Sequence, residues 1–395
     1  MGPVLWAGPR AFSAAGHGAV CGLEGRERRL LSCAMIRILR HAKTLSLGLC
    51  FLLGLSLPGL AQSFEDHSDH SPPYRLFLPS LEDSATPIPL LVMLHGCSQD
   101  ALAFAEVTRM NELAAMEGFA VLYPEQRAHP TECWRWYEPD HQARGRGEPA
   151  AILALVEEVM DRSDVTVDPA RVYVAGLSAG AGMAAILGAA YPDVFAAIGV
   201  VAGLPYGIAE DCLSAFNAMQ RISERLPSLA AWSDYWQAYG TCLAAGQVNP
   251  LLSAVPAADK LGERAFEAMG PRRRVLPVVV FHGTADRRVF PANEGDMVGQ
   301  WAQTNDLAAD GLDDDDVDDR AESERLLTFR DKRRTVVRSY ETDLGEEVIR
   351  SFLVEGMPHA WPGGAPDRPF SDPRAPDASR LIWGFLSQQV REPLP

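Results

Sequence analysis

The stretch "VYVAGLSAGAGMAAILGAAYP", from Val172 to Pro192, joins an apolar run to an alanine-rich segment through three closely spaced glycines. The apolar run predicts a buried strand, and the alanine-rich segment predicts a helix. The glycines between them predict a sharp turn. Such a turn can hold a phosphate on backbone N–H groups, or it can present one serine, Ser178, as a nucleophile.

The phosphate-binding alternative fits these residues poorly. A Walker loop requires a lysine, and the stretch contains none. A dinucleotide fingerprint that starts at Gly180 should directly follow a strand, but the predicted strand ends four residues too early. Residues 176–180 instead read Gly-Leu-Ser-Ala-Gly, the Gly-x-Ser-x-Gly pattern of a serine on a strained strand-to-helix turn. The glycines prevent clashes between that turn and its neighbours.

Apolar runs alternate with helical patterns along most of the chain. The predicted strands are Ile88–Gly96, Phe119–Gln126, Arg171–Gly176, Phe195–Gly203 and Val275–Gly283. Helical spacing between them predicts helices over Ala101–Gly118, Gly147–Arg162 and Ala179–Ala190. Near-continuous apolar strands separated by helices predict a mostly parallel sheet covered on both faces, which is a doubly wound α/β fold.

Three segments depart from this alternation. Residues 204–274 contain several helical pieces and two cysteines, so we expect an insertion that caps the sheet. Residues 304–325 contain a run of aspartates without the ligand order of a calcium loop, so we expect a solvated acidic loop. Two strands joined near Thr342–Gly345 and a helix over about Asp377–Val390 complete a predicted single catalytic domain, residues 62–395.

Residues 1–61 have the layout of a leader with a secretory signal peptide. Basic residues precede an apolar stretch from about Leu45 to Leu60, and a small residue follows at Ala61. Met35 offers an alternative start directly before those basic residues. The apolar stretch is short for a membrane-spanning helix. We therefore expect cleavage, no stable membrane insertion, and a secreted protein, extracellular or periplasmic.

Composition limits the partners of the chain and bears on its compartment. With 52 acidic and 36 basic residues, the net charge is −16. Nucleic acid is therefore not an expected partner, because phosphate contacts need clustered Lys and Arg.

Four cysteines follow the predicted signal peptide, and an even number in an exported protein predicts two disulfides. Of three pairings we favour the sequential one, Cys97 with Cys133 and Cys212 with Cys242. No Cys-x-x-Cys pair indicates zinc, and we expect no metal.

A nucleophilic serine needs a base and a carboxylate that orients the base. In α/β-hydrolases the acid follows the serine and the base comes last. Only His282 and His359 follow Ser178, and His359 lies in a Gly- and Pro-rich loop that suits a base. Asp286, just after a predicted strand, is the expected acid, with Asp296 as the alternative. His282 is expected to pack at its strand end.

Two backbone N–H groups are expected to form an oxyanion hole. One belongs to Ala179, directly after the serine, and the other to Cys97, in the loop after an early strand. A disulfide at Cys97 would stiffen this hole. Three tryptophans near these features, Trp134, Trp136 and Trp361, are candidates for substrate binding, with packing inside their loops as an equal alternative.

Five segments of the chain together carry a resemblance to one family. They read "HGCSQDALAFAEVTRMNELAAMEGFAVLYPEQ", "CWRWYEPDHQARGRGEPAAI", "GLSAGAGM", "HGTADRRV" and "PHAWPGG". They resemble the poly(3-hydroxybutyrate) depolymerase-like esterases, which are α/β-hydrolases allied to feruloyl and acetylxylan esterases. The resemblance covers roughly Pro73 to the C-terminus. It implies Ser178 as nucleophile, Asp286 as acid and His359 as base.

The sequence therefore predicts a secreted serine esterase that needs no cofactor and acts through an acyl-enzyme on hydroxyalkanoate oligomers or short acyl esters. A feruloyl or acetylxylan esterase that acts on plant polysaccharide is the close alternative. A serine peptidase would use the same triad, but the sequence contains no propeller pattern that would restrict the access of peptides to the active site. A non-catalytic binding protein would be expected to have lost a triad member, and none is lost here.

Overall fold

The computed structural model describes residues 62–392, apart from positions 82, 84, 129–130, 248–251 and 329–330. The predicted leader and signal peptide lie outside the described residues. The described residues all belong to the unit Gly59–Pro395.

The apolar runs form the centre of one large sheet. In the described part of the chain its strands are β1 (Ser63–His67), β2 (Tyr74–Leu78), β3 (Ile88–Leu94), β4 (Ala120–Pro124), β5 (Val167–Leu177), β6 (Ala197–Val201), β7 (Val278–Gly283), β8 (Ser323–Leu327), β9 (Thr335–Glu341) and β10 (Glu347–Val354). Their order is β1-β2-β4-β3-β5-β6-β7-β10-β9-β8. The strands from β4 to β10 in that order are parallel, and antiparallel pairs complete both edges. The prediction of a mostly parallel α/β sheet is confirmed.

Helices cover both faces of this sheet. The described helices are α1 (Ala101–Thr108), α2 (Met110–Glu117), α3 (Gly147–Met160), α4 (Ala179–Ala190), α5 (Cys212–Gln220), α6 (Ile222–Arg225), α7 (Leu229–Ala244), α8 (Ala258–Met269), α9 (Ala292–Ala309) and α10 (Ala378–Leu386). A small parallel pair, β11 (Trp361–Pro362) and β12 (Ser371–Asp372), lies outside the main sheet. Among the described helices, none is both long enough and apolar enough to cross a membrane.

Alternating side chains along the strands build two separate cores. On β3, Leu90, Val92 and Leu94 pack in one core with α3, α4, α8 and α9, whereas Leu91 and Met93 pack in the other with α1, α2 and α10. Every residue of β3 is buried. A strand covered on both faces needs apolar residues at all positions, which explains the continuous apolar run in the sequence.

The turn from β5 into α4 lies against the end of β3. A Cβ atom on Gly180 would overlap the backbone carbonyls of Leu94 and His95, and one on Gly176 would overlap the backbone of Gly180. Only glycine at these two positions allows such a close approach. Every residue of α4 is buried, so the helix that follows Ser178 is enclosed in the core.

The connection between β6 and β7 contains the segment predicted as a capping insertion. Helices α5 to α8 lie in it. A disulfide between Cys212 and Cys242 joins α5 to α7. Because β6 and β7 are adjacent parallel strands, this long connection leaves the strand order of the sheet unchanged.

The segment 304–325, expected to be a solvated acidic loop, is a loop only in part. Its first residues are the last turns of α9, and its last residues begin β8. Between them, the backbone N–H groups of Asp314 and Val317 donate to the carboxylate of Asp306 at 3.3 and 3.4 Å. The side chain of Val317 is buried. The connection is therefore attached to the helix and to the core.

Replacing Gly180 with alanine is expected to lower the Tm, because the added methyl group would overlap backbone atoms of β3. Overpacking of this kind costs about 1–3 kcal/mol or more. Gly295→Ala is the matched control, because a Cβ there meets no atom within 4 Å. Within a helix, alanine is about 0.5–1 kcal/mol more favourable for folding than glycine. Thermal unfolding of both variants checks this. An unchanged Tm for Gly180→Ala would contradict the close approach to β3.

Candidate active site

Ser178 adopts a backbone conformation that is unusual for a serine. Its φ is 58° and its ψ is −119°, and a positive φ normally favours glycine. Its N–H donates to the carbonyl of Val201 at 2.9 Å, and its own carbonyl accepts from Gly182 at 3.0 Å. The surrounding structure thus holds the serine in a strained turn at the carboxyl end of β5, as in a nucleophile elbow.

His359 and Asp286 lie on the loops after two adjacent parallel strands, β10 and β7. The distance from His359 Nδ1 to Asp286 Oδ2 is 2.7 Å. The other carboxylate oxygen accepts backbone N–H groups of Arg288 and Val289 at 2.8 and 3.0 Å. The Asp286 side chain is fully buried and that of His359 nearly so. The carboxylate therefore orients the imidazole through Nδ1 and leaves Nε2 available.

The alternative base and the alternative acid have other partners. His282 Nε2 lies 2.9 Å from the carbonyl oxygen of Val289 and 3.7 Å from Asp286 Oδ2. Burial lowers the pKa of His282 and favours its neutral form. Asp296, on α9, forms an ion pair with Arg221. The structure thus brings Asp286, and not Asp296, to His359.

The loop after β3 fixes the direction of the Cys97 N–H. His95 is fully buried, and its Nε2 accepts the backbone N–H of Gln126 at 3.0 Å. Its Nδ1 therefore donates to the carbonyl of Gly96 at 2.8 Å. Because the Gly96–Cys97 peptide is trans, the N–H of Cys97 points away from His95. Ala179 begins α4, where backbone N–H groups have no partner within the helix.

Two disulfides join the four cysteines of the described chain. Cys97 pairs with Cys133, and Cys212 pairs with Cys242, which is the sequential pairing. The first ties the Cys97 loop to the segment that carries Trp134, whose indole N–H donates to the carbonyl of His95 at 3.0 Å. This loop is therefore held both covalently and by hydrogen bonds.

Ser178 and His359 line one cavity of about 220 Å³, and Cys97 lines it too. Pockets that enclose drug-sized ligands measure roughly 300–1,000 Å³. This cavity therefore fits a short chemical group, with the rest of a larger molecule outside.

The three tryptophans that we considered for substrate binding do not line the cavity. Trp134, Trp136 and Trp361 are buried, with exposed fractions of 2%, 5% and 0%. Trp136 packs on α4 at Gly182, and the indole N–H of Trp361 donates to Ser379 Oγ at 3.1 Å. Of the two alternatives, packing against neighbouring elements describes Trp136 and Trp361 in the structure, and substrate binding by the tryptophans stays a prediction.

Sequence reasoning missed the apolar side chains that do line the cavity. Phe216 and Met219 reach it from α5 in the insertion, and Phe370 reaches it from the segment before β12. The spacing of Phe216 and Met219 indicates one helix face. Nothing in that spacing indicates that this face meets a site built on other parts of the chain.

One acidic group in the described residues has the spacing of cation ligands. Asp310, Asp314 and Asp316 have oxygens within 4.8 Å of one another, in the connection between α9 and β8. Repulsion from Asp314 raises the pKa of Asp316. Exposed acidic side chains also gather without an ion, so we assign no metal to this group.

The family model that matches this chain covers the Cys97 loop and Ser178. Residues 73–234 match the family model for esterase PHB depolymerase. Poly(3-hydroxyalkanoate) depolymerase C of Paucimonas lemoignei is 32% identical over 69% of this chain and 55% of its own length. Feruloyl esterase B of Thermothelomyces thermophilus is 30% identical over 65% of this chain and 79% of its own length. The chain belongs to the PHB depolymerase family of esterases.

The names of both relatives describe enzymes that hydrolyse carboxylic esters. The alignment spans only about half the length of the Paucimonas depolymerase. The acetyl xylan esterase from Aspergillus awamori superimposes with a TM-score of 0.56 at 18% identity, over 82% of this chain and 99% of that one. At this identity the similarity shows the fold alone, and that fold is the predicted α/β-hydrolase.

The stability of the protein is expected to fall as the pH drops from about 7 to about 5. Burial lowers the pKa of His95 and His282 below the usual value of about 6.5. Below about pH 6.5, these histidines take up protons in the unfolded chain but not in the folded chain. The free energy of unfolding is therefore highest above about pH 6.5 and decreases as the pH falls toward the lower pKa values of the folded state. Thermal unfolding across this range should show a falling Tm and a shallower slope for His282→Gln. An equally steep slope in that variant would contradict the assignment.

Replacing Phe216 with alanine is expected to enlarge the cavity and favour longer acyl chains. Each methylene admitted to an apolar pocket is worth about 1–3 kcal/mol. If the space left by Phe216 admits one further methylene, the kcat/KM ratio of p-nitrophenyl octanoate to p-nitrophenyl butyrate should rise about tenfold, and more if it admits several. Leu229→Ala, in the same insertion but 90% exposed, should leave the ratio unchanged. If both variants behave alike, Phe216 does not limit the acyl group.

Proposed function

We propose that the protein is a serine esterase in which Ser178 is the nucleophile, His359 the base and Asp286 the acid that orients the base. One observation carries the proposal. Ser178 and His359 line a common cavity, and the Asp286 carboxylate lies 2.7 Å from Nδ1 of the same imidazole. Ser-His-Asp hydrolases use this arrangement, and the chain order Ser, Asp, His is that of α/β-hydrolases.

In the first half of the reaction, Ser178 Oγ bonds to the ester carbonyl carbon while His359 Nε2 takes the hydroxyl proton. Negative charge develops on the carbonyl oxygen, and the N–H groups of Cys97 and Ala179 donate to it. Asp286 stabilises the imidazolium through Nδ1. His359 then gives its proton to the departing alkoxide, which leaves as an alcohol, and the acyl group stays on Ser178.

In the second half, water takes the place of the alcohol. His359 Nε2 accepts a proton from water as its oxygen bonds to the acyl carbon. The bond to Ser178 Oγ then breaks, Ser178 regains a proton from His359, and a carboxylic acid leaves. Water is the only co-reactant that this balance requires.

The proposed substrates are hydroxyalkanoate oligomers or esters of short acyl groups. The Paucimonas relative is named a poly(3-hydroxyalkanoate) depolymerase, and a cavity of about 220 Å³ lined by Phe216 and Phe370 suits a short acyl group. A feruloyl or acetylxylan esterase is the second candidate. It is favoured by the Thermothelomyces relative, which is named feruloyl esterase B. The two candidates share one chemistry and differ in the acyl group.

We also propose that the protein acts outside the cytoplasm. Disulfides persist in oxidising compartments and are rare in reducing ones. The two disulfides Cys97–Cys133 and Cys212–Cys242 support this location, and so does the signal-peptide pattern in the sequence.

Hydrolysis of an ester panel by the protein and by its Ser178→Ala variant tests the function. The panel contains p-nitrophenyl butyrate, a 3-hydroxybutyrate oligomer and methyl ferulate. Loss of the nucleophile should lower kcat by roughly 10⁴-fold or more. Unchanged hydrolysis by the variant would refute the role of Ser178. Turnover of methyl ferulate alone would favour the second candidate, and no ester turnover would favour a peptidase or a binding protein.

A matched pair of variants separates the two candidate acids in the same assay. Asp286→Asn should lower kcat by roughly 10⁴-fold, because an amide no longer holds the imidazole in the required tautomer. Asp296→Asn weakens an ion pair with Arg221 without touching His359, so kcat should stay close to that of the wild type. The reverse result would assign the acid to Asp296.

A further inference from the structure

Two arginines line the cavity beside Ser178 without an acidic partner. Arg287 and Arg288 directly follow Asp286, both are exposed, and both line the cavity. Within the described part of the chain, neither side chain forms an ion pair. Among the described residues that line the cavity, none is Asp or Glu. The cavity wall therefore carries two positive charges that nothing in its lining neutralises.

The acid of the triad does not require these guanidinium groups. The carboxylate of Asp286 accepts the backbone N–H groups of Arg288 and Val289 and the Nδ1–H of His359. Any residue except proline supplies such a backbone N–H. The arginine side chains are thus not needed to hold Asp286.

Ion pairs occupy many of the other arginines in the described residues of this acidic chain. The chain has 52 acidic and 36 basic residues, and other arginines have carboxylate partners, as Arg144 has Asp193 at 2.6 Å and Arg162 has Glu65 at 2.9 Å. The guanidinium carbon of Arg288 lies 5.3 Å from the ring centre of Phe370, which also lines the cavity. An aromatic face holds an arginine in place without neutralising its charge.

We propose that Arg287 and Arg288 form a carboxylate-binding subsite, which selects esters that carry a free carboxylate close to the bond that is cleaved. This inference rests on the proposed function and names the class of its substrate. Guanidinium groups bind carboxylates through paired N–H donors in a planar fork. A negatively charged substrate would otherwise be repelled by the acidic protein.

The chemistry identifies which esters have this form. In a short hydroxyacid oligomer with a free acid end, the last ester bond joins an acyl group to an alcohol that itself bears the carboxylate. The acyl group would occupy the cavity beside Phe216, and the carboxylate would meet the arginines at its rim. Each cycle at this bond releases one free hydroxyacid as the alcohol and, after deacylation by water, an acid that is one unit shorter than the original oligomer.

The test compares two substrates that differ only in charge. One is the dimer of 3-hydroxybutyrate with a free carboxyl group, which is ionised at about pH 7.5. The other is the primary amide of the same dimer, which is neutral. For the wild type, kcat/KM for cleavage of the internal ester should be higher for the acid. In the Arg287→Gln/Arg288→Gln variant, the acid-to-amide ratio of kcat/KM should fall about fivefold or more.

A control variant and a salt series complete the experiment. Arg320→Gln/Arg325→Gln removes two exposed positive charges from the region around β8 and should leave the ratio unchanged. In the wild type, raising NaCl from about 0.05 to 0.5 M should lower the ratio, and this measurement does not depend on whether a variant folds.

The outcomes distinguish this inference from the proposed function. A wild-type ratio near or below one, or an equal ratio in the Arg287→Gln/Arg288→Gln variant, would overturn the subsite. Cleavage of the neutral amide by the wild type but not by Ser178→Ala would still support the serine esterase in either case. If the wild type cleaves neither dimer, both the hydroxyalkanoate substrates and the subsite are refuted.

Discussion

The close approach between the turn at Gly180 and the end of β3 is the constraint on which the site depends. The turn lies against the carbonyl groups of Leu94 and His95, where any larger residue than glycine would overlap them. This contact brings Ser178 next to the loop that carries Cys97, so the proposed nucleophile and one proposed oxyanion donor follow two adjacent strands. The positive φ of Ser178 is the local cost of the arrangement, and the fully buried α4 offsets it with core packing.

The remaining parts of the triad follow from the parallel sheet. Parallel strands end at the same edge, and residues from different strands meet there although they are far apart in the sequence. Ser178 follows β5, Asp286 follows β7 and His359 follows β10. The last two strands are hydrogen-bonded neighbours, and Asp286 Oδ2 lies 2.7 Å from His359 Nδ1. The adjacency of β7 and β10 brings the two loops together, and the hydrogen bond between the two side chains completes the pair.

The sequence was sufficient for those features that are encoded locally. Apolar runs marked the buried strands, and the spacing of the glycines marked the elbow at Ser178. Burial that depends on the whole fold could not be derived from the sequence: for the tryptophans at 134, 136 and 361, substrate binding and packing were equal alternatives, and the structure buries all three. The residues that form the cavity wall, such as Phe216, lie on a helix whose orientation is set by tertiary packing and by the Cys212–Cys242 disulfide. No short-range pattern encodes that orientation.

The position of the insertion has a consequence for how the site can change. It connects two strands that are already neighbours and carries its own disulfide. Its length and side chains can therefore vary while the hydrogen-bonding pattern of the sheet stays the same. Phe216 and Met219 line the cavity from this connection, whereas Arg287, Arg288 and Phe370 line it from outside the connection. Exchange of this single connection would therefore remodel one apolar part of the cavity wall and leave the loops after β5, β7 and β10 in place.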